Sequence, residues 1–281
     1  MVLTTTPSSR ATSRVLLGVA PYWQLARRSF QRYTTYRGAT FAGVFTNTVF
    51  GFLKAYILLA LYRHRSEVGG LDAVDVVTYT FVSQGLLATT GAFGNNEIAD
   101  RIRTGDIISD LYRPLRFQAY WLFRDLGRAT FQVVFRGIPP FVIGALVFHL
   151  SLPPDGFTVL AFVVSVVLAV EVGFAFSFLV SLTAFWLLDS RGPAQLAVFV
   201  MQFFSGFVVP ISFFPGALRQ VAEVLPFSSI IQLPVEVFLG LHPGVAVLGV
   251  LGRQLAWALA LLGLNEFVAG RATRRVVIQG G

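Results

Sequence analysis

Residues 157–188 read FTVLAFVVSVVLAVEVGFAFSFLVSLTAFWLL, and this stretch decides the fold of the chain. It holds 32 residues and a single charged side chain, that of Glu171. About 20 predominantly apolar residues suffice to cross a bilayer, so the stretch is long enough for one crossing but too short for two crossings and a turn. It therefore predicts one long, tilted membrane-spanning helix.

The rest of the chain has the same apolar character. Hydrophobic residues make up 55% of the 281 residues and charged residues only 13%, against about 25% charged in soluble domains. So much apolar surface must face lipid, and we predict an all-α membrane protein with a single transmembrane domain over residues 38–281. Its six transmembrane helices are predicted at about residues 40–62, 74–93, 129–150, 157–188, 193–211 and 246–269.

Prolines interrupt this pattern in two places. Pro139 and Pro140 fall inside the third predicted span and should kink or delay it. Between the fifth and sixth spans, residues 212–243 contain four further prolines, which divide the stretch into short helices. We expect these short helices on the outer side of the membrane.

The N-terminal part, residues 1–37, differs from the rest in composition. Residues 1–14 read as a basic tail. Residues 22–37 mix tyrosine, tryptophan and phenylalanine with arginines, a composition typical of a helix that lies in the membrane interface. We therefore predict a basic tail followed by an interfacial helix, and no cleavable signal peptide, because the early apolar run is too short for one.

The arginines indicate the orientation of the chain. With both termini in the cytoplasm, 17 of the 21 arginines fall on the cytoplasmic side, as the positive-inside rule requires. The net charge of +8 then reflects these loops and predicts no nucleic-acid partner. The excess of arginine over lysine suggests a GC-rich bacterial genome, so we expect a multi-pass protein of the bacterial cell (inner) membrane.

Catalytic signatures are absent from the sequence. It contains no GxxxxGK[ST] phosphate loop, no HExxH zinc motif and no GxSxG nucleophile elbow. It has no cysteine, and its three histidines lie far apart, which speaks against a metal site. An intramembrane enzyme would need several acidic or histidine side chains at one depth. We therefore predict no catalytic residue, no metal and no enzyme activity on this chain.

Two charged residues lie inside predicted spans, where charge is costly and often functional. Glu171 is near the middle of the fourth span and is either a carboxylate of the substrate path or a protonated or paired structural residue. Lys54 lies closer to the outer end of the first span, where its side chain can extend to the interface. The depths of the two residues differ by about 9 Å, so an ion pair between them is conceivable but carries no weight.

Charged and apolar residues alternate in the stretch between the second and third spans, NNEIADRIRTGDIISDLYRPLRF, residues 95–117. Its apolar residues approximate one helical face, formed by Ile98, Ile102, Leu111 and, near them, Ile108. Gly105 should interrupt this helix and Pro114 should end it. The face must be buried either against a partner or against the membrane underside of the chain itself.

In this order of elements the chain resembles the membrane subunit of ABC-2-type exporters. In that family an interfacial helix precedes six spans, and a coupling helix between the second and third spans docks on a separate ATPase. The residues that carry the resemblance in the coupling region are Glu97, Ile98, Arg103, Gly105, Ile107, Leu111, Arg113 and Pro114. Those in the outer helices are Gly206, Pro210, Phe214, Pro215, Leu225, Pro226, Phe227, Pro234 and Gly240.

The resemblance implies a permease subunit of an ATP-driven exporter. Its partners would be an ABC ATPase subunit dimer, a second permease subunit that is identical or homologous, and membrane lipid. ATP and magnesium would bind to the ATPase, and this chain would carry no cofactor. The implied coupling site comprises Glu97, Ile98, Arg101, Ile102, Arg103, Gly105, Asp106, Ile107 and Ile108, with Glu171 as a possible pathway residue.

Within this site we expect the isoleucines at positions 102, 107 and 108 to enter a groove on the ATPase. The charged residues at positions 97, 101, 103 and 106 would form a polar rim. The alternative is a secondary transporter that is driven by an ion gradient and uses Glu171. Such transporters are built from inverted repeats with broken helices in matching positions, and the sequence shows no such symmetry.

Overall fold

The structure is a computed structural model that describes residues 18–91, 97–187 and 190–276. Within these ranges the chain is helical and forms no strand beyond an isolated bridge between Val68 and Leu71. The first half contains α1 Ala20–Thr34, α2 Arg37–Leu59, α3 Ala73–Thr89, α4 Glu97–Thr104, α5 Ile107–Leu111, α6 Phe117–Gln132 and α7 Ile138–Val147. The second half contains α8 Gly156–Leu182, α9 Arg191–Phe204, α10 Gly216–Val224, α11 Gln232–Phe238 and α12 Ala246–Val276.

Four helices in the described part of the chain are long and apolar enough to cross a membrane. They cover Arg37–Arg63, Phe117–Val147, Gly156–Phe185 and Ala246–Arg274. A fifth crossing is formed if the bent pair Gly216–Val224 and Pro226–Phe238, which meet at 67°, counts as one broken span. The protein is therefore an all-helical membrane protein with several crossings, and these four long helices correspond to the first, third, fourth and sixth predicted spans.

The second and fifth predicted spans correspond to shorter helices. Helix α3 has 17 residues and helix α9 has 14, which gives lengths of about 26 and 21 Å against about 30 Å of hydrocarbon. Helix α9 ends at Phe204 and not near Ile211, because Gly206 adopts a positive φ of 84°. Ala92 and Phe93, at the end of the second predicted span, lie outside the described residues. Six complete spans thus stay a prediction.

The third helix begins at Phe117, where the aromatic and basic residues 117–136 predict its interfacial start, ahead of the crossing part predicted at residues 129–150. Its two prolines do not break it, because a π-helical turn, Val133–Gly137, joins α6 to α7. The N–H of Ile138 donates to the carbonyl of Val133, five residues back. This wider turn accommodates the missing N–H groups of the prolines that follow.

Helix α8 is continuous, as the apolar stretch predicts, and it forms the centre of the fold. Asp155 caps its start, accepting a hydrogen bond from the N–H of Thr158 at 2.7 Å. It packs along α12, and buried hydrogen bonds join the pair. Ser165 donates to Gln254 at 2.8 Å, and Asn265 donates to a carbonyl of α8 at 2.8 Å. Such interhelical hydrogen bonds hold membrane helices together.

Helix α1 lies along α6. Tyr22 packs on Phe123 at 5.0 Å between ring centroids, and Ser29 donates to the carbonyl of Arg124 at 2.6 Å. Gly127 permits this approach, because a Cβ there would collide with the carbonyl of Ala26. The predicted helix after the N-terminal tail is thus present, whereas residues 1–14 lie outside the described residues and the interfacial position of α1 stays a prediction.

Candidate functional site

The candidate coupling segment, residues 97–116, folds as two short helices. Helix α4 ends at Thr104, and Gly105 follows with a positive φ of 82° before α5 begins at Ile107. The interruption predicted at Gly105 is therefore present, and the helical part ends before Pro114 as expected. Asn95 and Asn96, at the start of the predicted stretch, lie outside the described residues.

The apolar face of this segment packs against the chain itself. Ile98 and Ile107 are buried, Ile107 with only 2% of its surface exposed, in a cluster with Trp121 of α6 and Phe178 of α8. Ile102 is partly buried in the same cluster. The expectation that Ile107 anchors a partner is thus corrected. The sequence shows that the face needs a cover, and the covering surface comes from distant helices that sequence spacing does not reveal.

A different set of side chains forms the exposed surface of the segment, which we call the tip. Ile108 is 42% exposed and Tyr112 is 87% exposed. The two lie four residues apart and therefore on one side of the helix. Arg103, Gly105 and Asp106 are exposed beside them. Tyr112 was missed in the sequence, although its spacing from Ile108 is a signal that could have found it.

One buried carboxylate holds the two short helices together. The side chain of Asp110 is 0% exposed, and it accepts from Nε of Arg101 at 2.8 Å and from Nε of Arg113 at 3.2 Å. Arg101 also donates to Ser109 at 3.0 Å. Arg101 therefore joins α4 to α5, in addition to any role at a polar rim.

Glu97 connects these two short helices to α6 and α1. Its carboxylate accepts from Arg124 of α6 at 2.7 Å and from Arg32 of α1 at 3.2 Å. Burial raises the pKa of the Glu97 carboxyl, but the hydrogen bond and charge of Arg124, together with those of Arg32, outweigh burial and hold the pKa below its ordinary value. The carboxylate is therefore ionised at neutral pH, and the link between the three helices is charged.

The same face of α6 also binds the C-terminal end of α3. Arg128 is buried, pairs with Asp125 at 2.6 Å, and donates to the carbonyls of Ala88 at 2.7 Å and Thr89 at 3.0 Å. The last carbonyls of a helix lack intrahelical partners and carry partial negative charge, so a guanidinium there satisfies both needs. In the sequence Arg128 had counted only as one more cytoplasmic positive charge.

Glu171 lies on the outward-facing stripe of α8. Leu160, Val164 and Val167 are exposed at helical spacing, and half-buried Glu171 continues the same side. It makes no hydrogen bond or ion pair with any residue that the structure describes. The structure does not bring it to Lys54, which donates instead to the carbonyl of Phe207. The pair that was conceivable from sequence is thus not formed.

Lys54 belongs to a polar network around the break after α9, which the sequence did not indicate. The hydroxyl of Tyr79 lies 2.6 Å from Oε1 of Gln232 and 2.8 Å from the carbonyl of Gly206. Gln232 Oε1 also accepts from the N–H of Ile211 at 3.0 Å. Side chains from α2, α3 and α11 therefore satisfy these groups of the unwound backbone, as irregular backbone shielded from water requires.

Comparison with known proteins agrees with this architecture. No curated protein and no solved structure matches the chain significantly. The sequence profile described as ABC-2 family transporter protein matches residues 48–280. This match covers well over half of the chain, from the middle of α2 to beyond α12, and includes the candidate coupling segment. The chain therefore belongs to the ABC-2 family of membrane transport proteins.

Proposed function

We propose that this chain is the permease subunit of an ATP-driven exporter and that a separate ABC ATPase dimer supplies the energy. Family membership supports the permease assignment, because this family forms the membrane component of transporters. The sequence has no phosphate loop, so ATP and magnesium would bind to the ATPase. Energy then has to enter this chain through a protein contact.

The observation that carries the proposal is the exposed tip, together with the ion pairs that hold α4 and α5 to each other and to α6 and α1. A surface that receives force needs accessible apolar anchors and a stiff connection to the membrane helices. Ile108 and Tyr112 provide the anchors. Asp110 provides the stiffness within the segment, and Glu97 provides the connection to α6 and α1. We therefore assign ATPase docking to the tip, with Arg103 and Asp106 at its polar rim.

Docking can be tested with one double variant and a single-residue control. Ile108→Ala combined with Tyr112→Ala removes the exposed anchors without opening the buried cluster. A few apolar anchors carry most of the energy of a small interface, so the loss should be about 2 kcal/mol or more. Leu152→Ala is the control, because Leu152 is 70% exposed but lies in a loop predicted on the opposite side of the membrane.

The measurement is co-purification and coupled transport with the ABC ATPase encoded nearest to the gene of this chain. The double variant should reach the membrane but release or uncouple the ATPase, whereas the Leu152 variant should behave as wild type. Wild-type coupling in the double variant would place the energy input elsewhere on the chain.

We further propose that two permease subunits, identical or homologous, enclose the substrate path and that Glu171 faces it. A half-buried carboxylate on the outward stripe of a spanning helix is unfavourable against lipid. A second subunit or a water-filled path beside α8 removes that cost. Glu171→Gln should then alter transport or substrate-stimulated ATP hydrolysis while basal hydrolysis stays intact. Unaltered transport by a well-expressed variant would contradict this assignment.

The same unpartnered carboxylate favours one other function, that of a secondary transporter driven by an ion gradient. That function predicts transport without ATP. This transport should be lost in Glu171→Gln, and it should also be lost in the unaltered protein when the gradient is collapsed. For the exporter we expect a bacterial inner-membrane location with both termini in the cytoplasm, as the distribution of the arginines suggests. Transport in vesicles that hold ATP but no ion gradient distinguishes the two functions.

A further inference from the structure

A polar cavity opens among the short helices between α9 and α12. It measures about 370 Å³ and is bounded by α10, α11 and the first two turns of α12. Charged and polar residues from each element line it, together with apolar Leu233 and Val250. The network around Gln232 reaches this cavity through Glu236, but neither the proposed ATPase docking nor the proposed substrate path at Glu171 involves the cavity.

The hydrogen bonds at the cavity are unevenly distributed between acceptors and donors. Both carboxylates are occupied: Glu236 accepts from Gln232 at 2.7 Å and pairs with His242 at 2.9 Å, while Glu223 pairs with Arg219 at 2.7 Å. Arg253, in contrast, makes no hydrogen bond or ion pair with any described residue. Both carboxylates of the cavity thus have a partner, whereas the guanidinium of Arg253 has none among the described residues.

Two donor groups at this cavity are buried without a partner. They are Nε of Arg253 and the hydroxyl of Ser212. Buried polar groups without partners are rare, and a buried guanidinium without a partner is costly in a membrane protein. Both groups therefore favour a bound molecule at this place. Because both groups can donate and the neighbouring acceptors are occupied, the molecule has to supply acceptor oxygens. A phosphate or carboxylate meets this requirement, since it accepts two parallel hydrogen bonds from a guanidinium.

The surroundings of the cavity favour a ligand that also has an apolar part. Val245 and Leu248 are 82% and 56% exposed, and each is adjacent in sequence to a residue that lines the cavity. An inorganic anion would leave these side chains uncovered. A molecule with an anionic head and an apolar chain would place its head at Arg253 and its chain along α12.

We propose that this cavity binds the anionic head group of an amphiphile, with Arg253 and Ser212 as its donors. The proposal concerns binding alone and does not depend on ATP-driven export. Gly249 provides the space for the head group one turn before Arg253. A Cβ built at Gly249 meets no atom within 4 Å, so a larger side chain there fits the fold and projects into open space.

Native mass spectrometry of the full chain in a neutral maltoside detergent tests the proposal. The probes are phosphatidylglycerol, phosphatidylcholine with the same acyl chains, and inorganic phosphate alone. Arg253→Gln removes the charged donor, and Gly249→Val fills the cavity without changing charge. The matched controls are Arg271→Gln, which removes an exposed guanidinium near the other end of α12, and Gly252→Val, because Gly252 is equally open but does not line the cavity.

We expect phosphatidylglycerol to bind in preference to phosphatidylcholine. Both test variants should weaken that binding at least about tenfold, the loss expected for a charge-assisted hydrogen bond, while both controls retain it. Wild-type affinity in Arg253→Gln, or in Gly249→Val, would overturn the site. Equal binding of the two lipids would overturn the anionic head group. If inorganic phosphate alone displaced phosphatidylglycerol, the site would belong to a soluble anion and the assignment to an amphiphile would be wrong.

Discussion

Replacing Asp110 with asparagine should loosen the coupling segment from within. The carboxylate is fully buried and accepts charge-assisted hydrogen bonds from Arg101 at 2.8 Å and Arg113 at 3.2 Å. Each such bond contributes about 1.5–3 kcal/mol. Both arginines are partly exposed, so water compensates much of their loss, and we discount the sum to about 2 kcal/mol. The asparagine has similar volume, and the effect should therefore come from charge and not from packing.

Hydrogen exchange of residues 97–112 in the full chain measures this loss. A cost of about 2 kcal/mol corresponds to a roughly 30-fold fall in amide protection for local opening. Asp100→Asn is the matched control. Asp100 also pairs with an arginine of the segment, Arg103 at 3.0 Å, but its side chain is 57% exposed. An exposed pair contributes about 0.2–1 kcal/mol, so protection there should fall less than about fivefold.

The two variants together decide whether burial of Asp110 gives the segment its stiffness. If the Asp110 variant lost no more protection than the Asp100 variant, the apolar cluster alone would hold α4 and α5 in place. If it lost the expected protection but kept full coupling to the ATPase, stiffness of the segment would not be needed for energy transfer.

Three further results are expected. The folded pKa of Glu97 lies below the ordinary 4.5, so its ion pairs stabilise the fold above that pH and this stability is lost as the pH falls through the lower folded value. Glu97→Gln should abolish that acid-dependent loss of α4 protection. A Cβ at Gly85 would lie 3.1 Å from the backbone of the π-helical turn, so Gly85→Val should lower the free energy of unfolding by about 1–3 kcal/mol in a thermal unfolding measurement. Gly263→Val, whose Cβ meets open space, should leave it unchanged. A cysteine at position 155 should react with an impermeant reagent in intact cells and one at position 105 should not. The reverse labelling would overturn the orientation.

Sequence reasoning succeeded where one residue type dictates the local backbone. The unbroken apolar run gave the single helix α8, and Gly105 gave the break in the coupling segment. It failed where the outcome depends on tertiary contacts. Whether Ile107 faces a partner or the core depends on Trp121 and Phe178, which are distant in sequence. The break after α9 depends on how Tyr79 and Lys54 satisfy the carbonyls of Gly206 and Phe207.

Helix α6 is the element through which movement of the tip would reach the membrane, because its charged residues bind both α4 of the coupling segment and the end of α3 that precedes it. Arg124 holds Glu97 at the start of α4, and Arg128, one turn later on the same face, holds the last carbonyls of α3. The two ends of the link between α3 and α4 are thus fixed to one helix. While the ion pair between Glu97 and Arg124, whose side chains are 30% and 19% exposed, and the hydrogen bonds of Arg128 hold, a displacement of α4 would carry α6 and the end of α3 with it. From α6 it would reach α7 through the π-helical turn. If the proposed ATPase docks on the tip, α3 and α6 should therefore move as one body, and the wide turn at Val133–Gly137 is the place where the third predicted span can bend.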